Sequence, residues 1–123
     1  MRVLVADDSP QFVDMLVALL SREERIDVVG YARDGLQAVD LARTLEPDVI
    51  LMDISMPAMD GIEATRLIRA QPTRSRVLVL SGSNSRIDVD RARDAGAAAY
   101  LTKDRIASEL VDAIVDVAGR ELS

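Results

Sequence analysis

The side chains of this 123-residue chain that could carry out chemistry together are three carboxylates, a hydroxyl and an amine. Asp7 and Asp8 are adjacent, Asp53 stands alone, and Ser81 and Lys103 follow later, each after a short apolar run. Taken singly, each has an ordinary explanation as a turn, capping or solvated surface residue. Their joint occurrence in one small chain is what favours a functional site.

The residue types that the chain lacks restrict the chemistry of such a site. There is neither histidine nor cysteine, which excludes an imidazole base, a thiolate nucleophile, a disulfide, a zinc finger and an iron–sulfur ligand set. A bound metal must therefore have oxygen ligands, as Mg²⁺, Mn²⁺ and Ca²⁺ prefer. Covalent catalysis would have to use Asp, Glu, Ser, Thr, Lys or Tyr.

Carboxylates that crowd together repel one another, and the pKa of at least one of them rises unless positive charge compensates. A Mg²⁺ ion and the Lys103 ammonium would supply that charge, a pattern that indicates phosphoryl chemistry. Phosphoryl transfer needs an in-line nucleophile and positive charge on the equatorial oxygens. Asp53 can be that nucleophile and form an acyl phosphate, with Lys103 and the Ser81 hydroxyl contacting the phosphoryl oxygens.

The same interpretation assigns the metal ligands. Asp8 and Asp53 hold the metal, Asp7 acts mainly through metal-bound water, and the backbone carbonyl of Ser55 completes the ligand shell. The sequence contains no Walker A motif and no G-x-G-x-x-G run, so it has no recognisable nucleotide cradle. We therefore expect the phosphoryl group to come from a donor other than bound ATP.

Short apolar runs alternate along the chain with longer segments that have apolar residues at helical spacing. The short runs predict strands at 3–6, 28–32, 49–52, 77–80 and 98–101. The longer segments predict helices at 10–21, 34–45, 61–70, 86–95 and 106–118. Ser9 is the expected N-cap of the first helix, with Pro10 at its first position. The apolar face predicted for this helix consists of Phe12, Met15, Leu16, Leu19 and Leu20. The helix at 86–95 has only Ile87, Ala92 and Ala95 as its apolar face, so we expect it to be the loosest element.

Five consecutive βα units require right-handed crossovers and a parallel sheet with helices on both faces. We predict an α/β fold with a doubly wound five-stranded parallel sheet, a flavodoxin-like (βα)5 three-layer sandwich. In an open α/β sheet, ligands bind outside the carboxyl ends of the strands. The five candidate side chains should converge at that edge.

The overall composition is typical of one globular domain, and we expect a cytoplasmic protein. Hydrophobic residues make up 49% and charged residues 29% of the chain, and no apolar run is long enough to span a membrane. The formal net charge of −6 and the aromatic content of 2% disfavour binding of nucleic acid or of an anionic membrane by this chain alone.

Four motifs occur in order, and with them the chain resembles the receiver domains of two-component response regulators over essentially its whole length. The motifs are Val-Leu-Val-Ala-Asp7-Asp8, Val-Ile-Leu-Met-Asp53-Ile-Ser-Met-Pro57-Ala-Met-Asp-Gly61, Val-Leu-Val-Leu-Ser81 and Ala-Tyr100-Leu-Thr-Lys103-Asp. The resemblance implies a CheY-like fold in which Asp53 accepts a phosphoryl group from the phosphohistidine of a sensor histidine kinase or phosphotransfer protein.

The resemblance also implies the remaining roles at the site. Mg²⁺ would be bound by the acidic pair Asp7 and Asp8, and Ser81 and Lys103 would contact the phosphoryl oxygens. Many members of the family carry Thr where this chain has Ser81. Such a domain catalyses only its own phosphorylation and dephosphorylation and is not otherwise an enzyme.

A conformational switch is expected to follow phosphorylation of Asp53. The Ser81 hydroxyl would move inward to hydrogen-bond a phosphoryl oxygen, and Tyr100 would then rotate from an exposed to an inward position, as the matching aromatic does in the family. The surface of the fourth helix, fifth strand and fifth helix would change as a result. We expect this surface to be the output face or a phosphorylation-dependent homodimer contact.

The C-terminal segment adds an expectation about the whole protein. Residues 1–118 should form the receiver domain and residues 119–123 the start of a linker or C-terminal tail. The segment 113–123 resembles the receiver-to-linker boundary of NarL/LuxR-type regulators. That resemblance implies regulation of transcription through a C-terminal helix-turn-helix DNA-binding domain that is absent from this chain.

Two alternatives remain open at this stage. Haloacid-dehalogenase-type phosphatases also combine a nucleophilic Asp with magnesium, Ser or Thr, and Lys. Their nucleophile follows the first strand in a D-x-D motif, whereas here Asp7 and Asp8 are adjacent and the chain has no cap domain. The second alternative is a receiver-like module that acts without phosphorylation, but such proteins usually lack one of the acidic residues or the lysine.

Overall fold

The computed structural model describes residues 1–119, and these form a five-stranded sheet. The strands are β1 (Arg2–Ala6), β2 (Asp27–Ala32), β3 (Val49–Asp53), β4 (Arg76–Ser81) and β5 (Ala99–Thr102). They pair in parallel in the order β2-β1-β3-β4-β5. The predicted doubly wound α/β fold is confirmed.

Helices follow each strand, and every predicted element is present with bounds within one residue of those expected. The α-helices are α1 (Pro10–Leu20), α2 (Gly35–Leu45), α3 (Gly61–Arg69), α4 (Arg86–Ala95) and α5 (Ile106–Ala118). A short 3₁₀ helix, Lys103–Arg105, joins β5 to α5 and was not predicted, because three charged residues carry no periodic signal.

Polar N-caps begin the first four α-helices. Ser9 and Asp34 accept hydrogen bonds from the Phe12 and Gln37 backbone N–H groups, and Asp60 and Ser85 cap α3 and α4 in the same way. Each cap satisfies a backbone donor that the first helical turn leaves unpaired. The expected role of Ser9 is confirmed, with Pro10 as the first residue of α1.

Alternate residues of the buried strands point to opposite faces of the sheet, and each face has its own hydrophobic cluster. Helices α1 and α5 cover one face through the buried side chains of Leu16, Leu20, Ile106, Leu110, Ile114 and Val117. Helices α2, α3 and α4 cover the other face through the smaller side chains of Ala38, Ala42, Ile62, Ala64, Ile68, Ala92 and Ala95. The helices therefore lie on both sides of the sheet, as expected of a three-layer sandwich.

Two side chains that the helical spacing assigned to apolar faces are instead exposed. Met15 on α1 is 46% exposed, because the stripe that meets the sheet is centred on Leu16 and Leu20. Ile87 is 71% exposed in the first turn of α4, which buries only Ala92 and Ala95. The thin apolar face of α4 is confirmed, and the looseness of this helix stays a prediction.

The last helix ends at the residue that the helical spacing predicts, while the division into a receiver domain and a linker stays a prediction. Helix α5 ends at Ala118, and Gly119 caps it with a right-handed φ of −83°. This helix end therefore does not use the left-handed conformation that glycine permits. The rest of the expected linker or tail, 120–123, lies outside the described residues.

The strand order opens a crevice where the candidate residues lie. Strand β1 lies between β2 and β3, so the winding of the chain changes direction there, and the carboxyl ends of β1 and β3 face a common opening. Ala6 pairs with Met52 in the register of these two strands. The next residue along each strand is Asp7 or Asp53, so the register itself sets two carboxylates side by side.

Candidate functional site

The acidic cluster consists of Asp7, Asp8 and Asp53. Each offers a carboxylate oxygen, and these atoms all lie within 4.8 Å of one another. Asp7 and Asp53 are buried, whereas Asp8 is exposed. The cluster thus consists of two buried carboxylates and one solvent-exposed carboxylate.

The Lys103 ammonium neutralises part of this charge. Its Nζ lies 3.3 Å from Asp53 Oδ1 and 3.6 Å from Asp7 Oδ2. The side chain is 31% exposed, so this lysine is partly open to solvent while its ammonium bridges the two buried carboxylates. Because Thr102 pairs with Ser81 in the register of β4 and β5, Lys103 begins one residue beyond the sheet edge.

Burial sets the electrostatics of the two inner carboxylates. The pKa of Asp53 is raised to about 6, mainly by desolvation and then by the neighbouring Asp7 charge, and Lys103 opposes both effects. The pKa of Asp7 is also raised, mainly by burial, against a backbone hydrogen bond from Ser9 and the Lys103 charge. The single ammonium therefore does not fully compensate this site, as the crowding of carboxylates in the sequence predicted.

Asp7 has one satisfied and one unsatisfied oxygen. Its Oδ1 accepts the Ser9 backbone N–H at 2.8 Å. Its Oδ2 is fully buried and has no hydrogen-bond partner among residues 1–119, since Lys103 Nζ is beyond hydrogen-bond distance. A buried carboxylate oxygen without a donor is costly. The all-oxygen cluster around it fits a hard cation such as Mg²⁺, so the residues present can hold such an ion.

Ser81 and Tyr100 are linked through the backbone of Ser83. The Ser81 Oγ accepts the Ser83 N–H at 3.0 Å, and the Tyr100 hydroxyl donates to the Ser83 carbonyl at 2.6 Å. Tyr100 is half-buried and packs against the cluster under α2, α3 and α4. This structure therefore holds Tyr100 in a packed position and not in the exposed one from which the expected switch starts.

The loop after β3 is held tightly against Asp53. A Cβ on Gly61 would lie only 1.9 Å from the Asp53 carbonyl oxygen, so only glycine fits at that approach. Ala58 adopts the left-handed conformation at φ 65°, which is strained for a residue with a Cβ. Ser55, the expected carbonyl ligand, lies exposed in this loop. The tight packing fixes the backbone that carries Asp53.

Phe12 makes a contact at the site that its helical spacing does not predict. Lys103 Nζ lies 4.1 Å from the centroid of the Phe12 ring on α1. Helical spacing gave Phe12 an apolar role, and it does pack against the cluster under α1 and α5. No periodic pattern signals a contact between a helix side chain and a residue 91 positions later, so this one could not be found from the sequence.

The fold and the site define a class: a (βα)5 protein with an acidic, lysine-bridged site at the carboxyl edge of its parallel sheet. Residues 3–115 match the response regulator receiver domain family. Because the match spans most of the sequence, the chain belongs to the receiver domains of two-component response regulators. Receiver domains as a family interact with histidine kinases or phosphotransfer proteins and are mostly non-enzymatic. Within the described part of the chain, no helix is both long and apolar enough to cross a membrane.

The relatives of this chain include bacterial regulators of transcription. It is 44% identical over 113 residues to the transcriptional regulatory protein PdtaR of Mycobacterium tuberculosis, which covers 92% of this chain and 54% of that protein. It is 39% identical to the probable transcriptional regulatory protein NarL of the same organism, covering 98% of this chain and 56% of that one. The chain thus spans about half the length of these relatives.

Solved structures show the same similarity. The receiver domain of the putative response regulator NarL from Mycobacterium tuberculosis superposes with a TM-score of 0.92 at 40% identity, covering 97% of each chain.

An enzyme is also among the relatives: a protein-glutamate methylesterase of Myxococcus xanthus is 47% identical over 108 residues, which are 30% of its length. The expected CheY-like fold and the expected resemblance to NarL/LuxR-type regulators are confirmed.

Proposed function

We propose that this receiver domain accepts a phosphoryl group on Asp53 from the phosphohistidine of a sensor histidine kinase or a phosphotransfer protein. The observation that carries the proposal is the convergence of Asp7, Asp8 and Asp53 within 4.8 Å, with the Lys103 ammonium 3.3 Å from the Asp53 carboxylate. The 123 residues contain no histidine, so the donor imidazole must come from elsewhere. Apart from its own phosphorylation and dephosphorylation, the domain catalyses no reaction.

The transfer replaces a nitrogen–phosphorus bond by an oxygen–phosphorus bond. A carboxylate oxygen of Asp53 attacks the phosphorus, and the donor imidazole, protonated on its other nitrogen, leaves as a neutral group with the electron pair of the broken bond. Because the pKa of Asp53 is about 6, most of this carboxyl is ionised at pH 7. Attack by water on the acyl phosphate later releases inorganic phosphate and restores the carboxylate.

The metal ligands proposed are the carboxylates of Asp8 and Asp53 and the backbone carbonyl of Ser55, with Asp7 acting mainly through metal-bound water. The unsatisfied Asp7 Oδ2 supports this assignment, and Mg²⁺ is the ion that such oxygen ligands suit, with Mn²⁺ as a substitute. When bound, the ion would neutralise the carboxylates and the developing charge on the phosphoryl oxygens.

Lys103 and Ser81 are the proposed contacts to the phosphoryl oxygens. The Lys103 ammonium has three N–H donors and a partly exposed end, so it can hold Asp53 and a phosphoryl oxygen together. The Ser81 hydroxyl accepts the Ser83 N–H and can donate its own hydrogen to the new anionic group. Hydrogen bonds to charged acceptors are the stronger kind.

Phosphorylation would be communicated through Ser81 and Tyr100, with the Ser83 backbone between them. If the Ser81 hydroxyl turns toward the phosphoryl group, it gives up the Ser83 N–H, and residue Ser83, whose carbonyl accepts the Tyr100 hydroxyl, must respond. Ser81→Ala should therefore still take up phosphate on Asp53 but lose most of the change in dimerisation or partner binding, measured by analytical ultracentrifugation. Unchanged coupling in this variant would contradict the switch.

The output proposed is control of transcription through a DNA-binding domain beyond this chain. Two observations support it: the relatives PdtaR and NarL are named as transcriptional regulators, and this chain spans about half of their length. In this proposal, residues 1–118 are the receiver domain and 119–123 begin a linker or tail. The face formed by α4, β5 and α5 would dimerise or contact a partner on phosphorylation. We infer a cytoplasmic location for the protein.

Phosphoryl uptake can be tested by intact-protein mass spectrometry after incubation with acetyl phosphate, with and without Mg²⁺. The wild type should gain one phosphoryl group only with Mg²⁺, and Asp53→Ala should gain none. Asp48→Ala is a matched control, because it removes an aspartate just before the same strand, at the opposite end from the site. It should be phosphorylated as the wild type is.

The opposite result has a specific meaning. If the wild type gains no phosphoryl group from acetyl phosphate or from a phosphorylated histidine kinase, the proposal fails and the phosphorylation-independent module becomes the better interpretation. If Asp53→Ala is still phosphorylated, the acceptor is another residue.

A further inference from the structure

Phe12 and Lys103 are each the only residue of their type in the chain, and they are in contact. The sequence has one phenylalanine and a single lysine among its 15 basic residues, the others being arginine. The Lys103 Nζ lies 4.1 Å from the Phe12 ring centroid, a distance at which the negative face of an aromatic ring attracts a cation. The ammonium therefore has a ring on one side and the carboxylates of Asp53 and Asp7 on another.

The position of the ring is tied to the acidic site through Ser9. The Ser9 backbone N–H donates to Asp7 Oδ1 at 2.8 Å, and the Ser9 Oγ accepts the Phe12 backbone N–H at 3.3 Å. Lys103 contacts both of these residues, because its ammonium lies over the Phe12 ring and 3.6 Å from Asp7 Oδ2. The hydrogen bonds of Ser9 at the start of α1 thus hold Asp7 and the Phe12 ring, the two neighbours of the Lys103 ammonium, in fixed positions relative to each other.

The Phe12 ring and the carboxylates hold the Lys103 ammonium in different ways, and the difference affects which N–H donors are left for a phosphoryl oxygen. A ring face attracts the ammonium without using any of its three N–H donors. A lysine side chain has many rotamers, and Lys103 is partly exposed. Without the ring, its ammonium would be spread over more positions. With it, the N–H groups stay directed at the carboxylates and remain free to bond a phosphoryl oxygen.

We propose that Phe12 is a positioning residue that holds the Lys103 ammonium for phosphoryl transfer to Asp53. This inference rests on the proposed function, since it concerns the same reaction. Phe12 touches neither the phosphoryl donor nor the acceptor; it acts through Lys103. The ring face is the essential feature, so tyrosine can replace phenylalanine at this position and an aliphatic residue cannot.

The first test observes the contact without any phosphorylation. In protein labelled with ¹³C-lysine, the ε-methylene group of Lys103 gives one NMR signal, because the chain has no other lysine. The ring current of Phe12 should shift this signal upfield in the wild type and in Phe12→Tyr. In Phe12→Leu and Phe12→Met the signal should return to the position of a solvated lysine. An unshifted wild-type signal would overturn the inference.

The second test measures the rate of phosphoryl uptake from acetyl phosphate at saturating Mg²⁺. Phe12→Leu and Phe12→Met should be about threefold to tenfold slower than the wild type, the range expected from losing a cation–π contact, and Phe12→Tyr should restore the rate. Met15→Leu is the control on the same helix: its side chain is exposed, so it should change neither the signal nor the rate. Thermal unfolding of each variant checks that the fold is intact.

The outcomes separate this inference from the proposed function. If the wild type is phosphorylated and the aliphatic variants react equally fast, Phe12 has no positioning role, while Asp53 remains the acceptor. If Phe12→Tyr is as slow as Phe12→Leu, the loss is due to packing and not to the ring face, and the inference fails. If the wild type is not phosphorylated but the NMR signal responds to Phe12→Leu, the contact exists, and the proposed function and the positioning role both fail.

Discussion

The two edges of the sheet use the same residue types in opposite ways. At the amino edge, Asp48 accepts the Arg2 N–H at 2.8 Å with one oxygen and faces Arg74 at 3.7 Å with the other. The buried Ser75 hydroxyl donates to the Pro47 carbonyl at 2.6 Å. Every one of these polar groups has a partner in the fold, so this edge stabilises the start of the strands.

At the carboxyl edge, the same kinds of side chain are left incomplete. Two buried carboxylates share one ammonium, Asp7 Oδ2 has no hydrogen-bond partner within residues 1–119, and burial raises the pKa values of Asp7 and Asp53. Such a site costs stability in the free protein. The amino edge therefore serves the fold alone, whereas the carboxyl edge is suited to bind a group that is not part of the chain.

Asp53→Asn should separate the two edges most clearly. Phosphoryl uptake should be lost completely, yet the variant should be more stable at pH 7 by on the order of 1–3 kcal/mol, because an amide carries no charge to desolvate or to repel Asp7. Mass spectrometry and urea unfolding measure the two effects. A variant that is less stable than the wild type would show that the charge of the Asp53 carboxylate is well compensated and that the two edges do not differ in this way.

Ser75→Ala should have the reverse signature at the amino edge. The Pro47 carbonyl would lose its buried donor, which should lower the free energy of unfolding by about 1–3 kcal/mol. The rate of phosphoryl uptake should stay unchanged, because the whole length of the strands separates Ser75 from Asp53. The measurements are urea unfolding and the acetyl phosphate assay, and a slower uptake in this variant would mean that the two edges are coupled.

Mg²⁺ should stabilise the wild type through the carboxyl edge. At a free Mg²⁺ concentration about ten times its Kd, the ion should raise the free energy of unfolding by about 1.4 kcal/mol. Thermal unfolding with and without Mg²⁺ measures this gain. Asp8→Asn should reduce this gain, whereas Asp48→Asn, at the other edge, should leave it intact. An equal response of both variants would indicate that the ion binds somewhere other than the acidic cluster.

The pH dependence should be the smallest effect. The pKa of Asp53 is about 6 in the fold against an ordinary value of 3.8, so the folded chain takes up this proton first as the pH falls. Stability from this group should therefore rise as the pH falls through 6, by about 1 kcal/mol between pH 7 and pH 5. The measurement is the free energy of unfolding of the wild type minus that of Asp53→Asn at each pH, because the contributions of the other carboxyl groups cancel in this difference. A flat difference would mean that the pKa of Asp53 is not raised.

Most of the fold could be predicted because its signals are local. Apolar runs and helical spacing depend on neighbours in the sequence, and so do caps such as Ser9 and Asp34. Helical spacing was wrong about which side chains of a helix are buried. Met15 and Ile87 have the right spacing for burial, yet neither faces the sheet, and the width of the buried stripe on a helix depends on what packs against it.

Residue order alone predicts the doubly wound sheet and the identity of the residues at its carboxyl edge, because the alternation of elements and the ends of strands are local features. How those residues meet depends on the tertiary structure. The β1–β3 register sets Asp7 beside Asp53, and packing of α1 against the same edge brings Phe12 to Lys103. Distances, burial and the resulting rise in the pKa of Asp53 depend on contacts between residues far apart in the chain, which no local pattern encodes.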